Sequence, residues 1–142
     1  WSIALRRNRG KEPVEARELR RLVEEHRATI IGPIRQELLS GIRDEKSFSR
    51  VESGLVAFGD LTVESEDYVD AARMYNQCRS KGVQGSNTDF LICAVAVRHG
   101  LAVYTNDKDF QGFAQHLPVV LHEVMPSGQQ GRTRKEQERP PG

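Results

Sequence analysis

Leu101-Ala-Val-Tyr-Thr-Asn-Asp-Lys-Asp-Phe110 is the stretch that decides the fold. Its first five residues are mostly apolar or β-branched and follow Gly100, so they predict a short buried strand. Asp107 follows two residues past the end of that strand, and Asp109 two residues later. The run before it, Asp89 to His99, predicts an apolar helix, capped by Ser86 or Thr88 and stopped by Gly100. A helix, a strand and then acids at the strand's carboxyl end are the parts of an open α/β sheet. In such sheets ligands gather beyond the carboxyl ends of the strands.

Working outward, the same alternation recurs. Glu12-Pro13 opens a helix whose Val14, Leu19, Leu22 and Val23 share one face. Ala28–Ile31 predicts a strand, and Pro33 starts a helix containing Ile34, Leu38, Leu39 and Ile42. Asp44 is placed to cap a helix from Glu45 to about Phe58. Gly59-Asp60 predicts a turn into the strand Leu61–Val63. Ser65 has the side chain of an N-cap for a helix running to Ser80, with Lys81-Gly82 as its stop. Lys108–His116 predicts a short helix and Pro118–Leu121 a last strand. Trp1–Arg7 is expected to be helical. Short apolar strands between helices indicate an α/β fold with a parallel sheet covered on both faces. Residues 1–124 form one expected domain, and the polar stretch 125–142 has too little to bury and is expected to be a disordered tail.

Composition narrows the classes. The chain has 142 residues, 37% hydrophobic, which suits one globular domain. Its longest apolar run, Phe90–Val97, is far short of the roughly 20 residues a membrane span needs. With no signal peptide, a reducing cytoplasm is expected. Cys78 and Cys93 have neither disulfide-framework nor C-x-x-C spacing, and Cys93 reads as a core residue. His26, His99, His116 and His122 are scattered and read as surface or helix-end residues. No phosphate-cradling glycine loop and no G-x-S-x-G elbow occurs. The net charge of +1 hides a basic segment, residues 1–35 at +4, beside residues 36–125 at −5. Acids could hold cations while a basic rim holds phosphates; Arg-rich helices are also ordinary solvated faces.

The acids at strand ends carry the chemistry. Asp107 and Asp109 follow one strand. Glu37 lies in the helix after another, at an expected half-buried cleft edge beside Ile34, Leu38 and Leu39. Asp89 begins the apolar helix. Singly, helix dipoles and turn chemistry account for such acids. Three carboxylates at one end of one sheet repel unless a cation sits between them. Mg²⁺ and Mn²⁺ take such oxygen donors, so metal-assisted phosphodiester hydrolysis is the chemistry that fits.

Three stretches carry a resemblance to a family. Ile34-Arg-Gln-Glu-Leu-Leu-Ser-Gly41, Gly85-Ser-Asn-Thr-Asp-Phe-Leu-Ile-Cys-Ala94 and Tyr104-Thr-Asn-Asp-Lys-Asp-Phe110 resemble the segments holding the second, third and fourth acids of PIN-domain ribonucleases of the VapC toxin type. The spacing of 18 positions between Asp89 and Asp107, and Asp70–Tyr75 followed by Arg79–Gly82, strengthen it. The resemblance covers about residues 1–122. It implies a three-layer α/β/α fold with a short parallel sheet. It also implies an endoribonuclease using Mg²⁺ or Mn²⁺, held inactive by a cognate antitoxin and assembled as a homodimer. Glu37, Asp89 and Asp107 would be catalytic and metal-binding, Asp109 a supporting metal-site acid, and Ser86 or Thr88, with Thr105, site support.

One feature departs from the family. Its members open with a central strand ending in a first Asp, whereas Trp1–Arg7 resembles the helix that follows. Glu12 and Asp44 follow no strand and do not replace that acid. The expectation is an N-terminally truncated domain with two unpaired sheet edges and weakened metal binding. The competing reading is a catalytically inactive PIN-like module that binds RNA or protein. A small phosphotransferase or hydrolase is a third, without a phosphate loop to support it.

Overall fold

The computed structural model describes residues 14–124. The expected helix at residues 1–7 and the expected tail at 125–142 lie outside them. The described chain runs α1 (Val14–Glu24), β1 (Thr29–Ile31), α2 (Gly32–Leu39), α3 (Glu45–Leu55), β2 (Gly59–Leu61), α4 (Ser65–Ser80), α5 (Asn87–His99) and α6 (Asp109–His116). This is an α/β chain with a parallel sheet.

Local chemistry sets most boundaries. In α1, Ala16, Leu19 and Leu22 are the buried residues, and of the charged ones only Glu18 is half-buried. Asp44 caps α3, its carboxylate accepting from the Ser47 N–H at 2.9 Å. Helix α5 begins with a capping box in which Ser86 Oγ accepts from the Asp89 N–H and Asp89 Oδ2 accepts from the Ser86 N–H, each at 3.1 Å. It ends at Gly100, whose φ of 64° is the left-handed conformation glycine adopts at little cost. Gly100 thus turns the chain toward Val103.

β1 and β2 pair in parallel, with Thr29 opposite Gly59 and Ile31 opposite Leu61. The second strand therefore starts two residues before the expected Leu61–Val63. Thr29 donates its hydroxyl to the Gly59 carbonyl, which draws Gly59 into the ladder. The Thr62 carbonyl instead accepts from Arg98 at 3.1 Å, so the chain leaves the sheet there. Ser65 is the first residue inside α4 and Glu64 takes the cap position; the Glu64 N–H donates to Asp67 Oδ2 at 2.8 Å. Helix α2 stops at Leu39, short of Ile42, and α3 stops at Leu55, short of Phe58.

The expected strands Leu101–Thr105 and Pro118–Leu121 meet at one parallel pairing, Val103 with Leu121. Val103 donates to the Val120 carbonyl and accepts from the His122 N–H, both at 2.8 Å. Both of its backbone groups are thus spent on one side. Among the described residues no strand pairs with the other side, so the Val103 segment and β1 are not joined into one sheet. An apolar cavity of about 880 Å³ separates them.

The core centres on α5, where Phe90, Cys93, Ala94 and Val95 are buried. Phe90 packs against Phe113 with tilted rings whose centroids are 4.7 Å apart, and Phe110 meets Phe113 edge-on at 5.1 Å. Gly85 sits against this cluster. A Cβ there would lie 2.4 Å from Phe113 Cζ and 3.0 Å from Phe90 Cε2.

Helix α4 packs along α5, and one ion pair ties them. Asp67 is fully buried and accepts from Arg98 Nε at 2.6 Å and Nη2 at 2.8 Å. The guanidinium beside it, opposed by burial, holds the Asp67 carboxyl below the usual carboxylate range. Asp67→Asn is expected to cost about 3 kcal/mol in urea unfolding, because it leaves Arg98 without its counter-charge. Gly85→Ala is expected to cost roughly 1–3 kcal/mol by overpacking the phenylalanine cluster.

Candidate active site

Three elements bring acids to one place. Helix α2 follows directly from β1 and carries Glu37. The first turn of α5 carries Asp89. The turn after the Val103 segment carries Asp107. All three line the same cavity, whose walls include Ile30, Ile31, Val95 and Val103. Asp109, the first residue of α6, is not among the lining residues. Glu37 and Asp107 are exposed and Asp89 is half-buried, so Glu37 stands further out than the expected half-buried cleft edge.

Each acid is held differently. Asp89 has one carboxylate oxygen tied to the Ser86 N–H in the capping box. Ser86 makes that contact rather than Thr88. Asp107 Oδ1 accepts from the Asp109 N–H at 2.9 Å, and the Asp107 N–H donates to Thr105 Oγ1 at 3.0 Å. Glu37 has no hydrogen-bond partner among the described residues. None of the three acids forms an ion pair there either, whereas Glu18, Glu25, Asp60, Asp67 and Asp70 all do.

Their oxygens are the donors that hard divalent cations take. The fit to Mg²⁺ or Mn²⁺ is in donor type and in convergence on one cavity. Among the described residues, no three His, Cys, Asp or Glu side chains stand close enough to form a closed ligand cluster.

Residues 3–115 match the PIN domain family. The chain belongs to the PIN-domain family. Over 111 residues this PIN domain is 34% identical to VapC ribonuclease Mb1587 of Mycobacterium bovis and to Ribonuclease VapC11 of Mycobacterium tuberculosis. That alignment covers 75% of this chain and 83% of each relative.

Other polar residues line the cavity of this PIN domain, His26 and His122 among them. His122 Nε2 lies 2.9 Å from Glu18 Oε1, a pairing across 104 positions that no sequence spacing signals. It is therefore no free surface histidine, as its scatter along the chain suggested. Cys93 is wholly buried, as expected from its apolar helix. Burial, then the nearby Asp89 charge, push its thiol up to about 12, so it supplies no thiolate nucleophile. No helix among the described residues is long and apolar enough to cross a membrane.

Glu18 anchors α1 beside the cavity. Hydrogen bonds from Arg21 first, then from His122, lower its carboxyl to about 2 against the cost of burial. Because the folded value lies below the unfolded one, this stabilisation is present above about pH 4.3. It is lost as the pH falls toward 2. Glu18→Gln is expected to be roughly 1 kcal/mol less stable at pH 7. In thermal unfolding, the gap from the wild type should narrow from pH 4.5 downward.

Proposed function

We propose that this PIN domain is a metal-dependent endoribonuclease, the toxin half of a toxin–antitoxin pair. The observation that carries this reading is the trio of Glu37, Asp89 and Asp107 lining one cavity, none of them ion-paired among the described residues. Three carboxylates left unpaired around one space are a design for an external positive charge. The match to the family and the ribonuclease names of two relatives give that charge its chemistry.

In this reading Glu37, Asp89 and Asp107 hold Mg²⁺ or Mn²⁺. Asp109 is a supporting acid at the head of α6. A bound divalent cation offsets the charge of the scissile phosphate and makes water a usable nucleophile at neutral pH. The chain's own acids keep that cation at the cavity mouth, where single-stranded RNA can reach it. Basic residues outside the site attract the RNA backbone, and that attraction weakens with salt. The substrate is RNA, and the control partner is a cognate antitoxin protein that covers the acidic mouth. The protein acts in the cytoplasm and pairs as a homodimer.

The testing experiment is endonuclease activity on folded RNA with Mg²⁺, with Mn²⁺ and with EDTA. Cleavage is expected with either metal and none with EDTA. Asp89→Asn and Asp107→Asn should each lose at least about a hundredfold, the upper end of what a change next to a metal ligand costs. That no closed ligand cluster stands among the described residues favours one rival, a PIN-like module that binds RNA or protein without cutting it. Salt-sensitive RNA binding by folded chain, with no metal-dependent cleavage, would establish that rival.

A further inference from the structure

Charge summed along the chain places the excess of cations in residues 1–35, yet the tertiary structure neutralises several of those it describes. Arg21, Arg27 and Arg35 are ion-paired, as are Arg73 and Arg98 further on. Arg79 lies over the Tyr75 ring and donates to its hydroxyl. Arg43, Lys46 and Arg50 differ. They are exposed, and their side chains form no ion pair or hydrogen bond among the described residues. Asp44 feels the charge of Arg50, but its Oδ2 is spent on the Ser47 N–H at 2.9 Å and hydroxyl at 2.7 Å.

Helical spacing sorts the rest of α3. Lys46, Arg50 and Ser53, at i, i+4 and i+7, form one exposed stripe. Phe48, Val51 and Leu55 are half-buried or buried on the opposite side. Glu45 and Glu52 share a different stripe. Lys46 and Arg50 are neighbours about 6 Å apart at Cβ, a spacing at which like charges repel. Arg43 adds a third charge in the turn that joins α2 to α3. Cations kept together without counter-charges make a field that attracts a polyanion.

We infer that Arg43, Lys46 and Arg50 are the face along which the phosphate backbone of RNA lies. This rests on the RNA-cleaving reading above. α3 packs on α2, the helix that carries Glu37. A strand held on α3 is thus held beside the element that brings an acid to the cavity. The face suits RNA rather than a protein. The centre of a protein interface is short of charge and rich in aromatic and apolar anchors. Within α3 this stripe has none, and the exposed Val56 at the C-cap follows the Glu45–Glu52 stripe instead. Contacts to phosphate carry no base information, so this face sets affinity and not the site of cleavage.

The test is binding of labelled single-stranded RNA by fluorescence anisotropy, in EDTA and over a salt series, with melting temperatures measured beside it. The variants are the triple Arg43→Gln, Lys46→Gln, Arg50→Gln and the charge-keeping triple Arg43→Lys, Lys46→Arg, Arg50→Lys. The control is the double Arg17→Gln, Lys81→Gln, which removes exposed cations elsewhere. The glutamine triple should lower the slope of log affinity against log salt by about 2, at roughly 0.7 per phosphate of a single strand. It should weaken binding about a hundredfold at about 0.1 M salt. The charge-keeping triple and the control should stay near the wild type, and no melting temperature should move appreciably.

An unchanged slope and affinity in the glutamine triple, with RNA still bound, would overturn the inference and leave the ribonuclease reading standing. So would an equal loss in the control, which would spread the attraction over the whole surface. If the glutamine triple instead loses binding to an oligoglutamate peptide and keeps its RNA affinity, the face belongs to an acidic protein and the inference fails. No RNA binding by the folded wild type at low salt would overturn the RNA reading and this face with it. Intact binding without metal-dependent cleavage would leave this face standing and remove only the catalytic reading.

Discussion

The ion pair between Asp67 and Arg98 is the constraint on which the rest of the structure depends. Asp67 gives both its carboxylate oxygens to Arg98 and one of them also to the Glu64 N–H. Such a carboxylate repays its desolvation only with every partner in place. It has them, and so α4 and α5 have one relative placement. Arg98 lies in the last turn of α5 and Asp89 in its first. Fixing the rotation of that apolar helix at one end fixes where the acid stands at the other. The same guanidinium draws the Thr62 carbonyl out of the sheet and so ends β2.

The charges of the described chain fall into two kinds. Around α1, Glu18 and Glu25 are ion-paired with Arg21 and Arg27, and Glu18 also meets His122. The α1–β1 hinge passes through His26, a non-glycine residue at a φ of 56°. Tyr104 joins this region to the Val103 segment by donating its hydroxyl to the Glu15 carbonyl. Along the cavity, Glu37, Asp89 and Asp107 form no ion pair among the described residues. Asp89 is the half-buried acid without an ion pair among the described residues, and Glu37 and Asp107 border the same cavity exposed.

Much of this was legible along the chain. Apolar periodicity and capping residues located α1, α3, α5 and α6 to within a few residues, because those signals act over four positions. Asp44 caps where its side chain said it would. The acids after strands pointed to one end of a sheet, and Glu37, Asp89 and Asp107 do share one cavity. The choice between Ser86 and Thr88 could not be made from sequence. Both hydroxyls stand near the helix start, and only the backbone path into α5 selects Ser86. Asp109 shows the same limit, since two residues past Asp107 is near in sequence, yet it opens α6 and does not line the cavity.

The sequence by itself determined which segments become helices, which residues are apolar enough to form the core, and which acids stand at element ends. Those are local properties, set by side-chain type and spacing. Only the tertiary structure decided the rest. It chose the register that starts β2 at Gly59, the 104-residue reach that pairs His122 with Glu18, and the burial that joins Asp67 to Arg98. Among the described residues it also gave the Val103 segment a single pairing, with a cavity lined by both that segment and β1. The reason is physical: a strand is defined by the partner that takes its backbone hydrogen bonds, and a buried charge by the counter-charge that meets it. Neither partner is written in the residues adjacent to it.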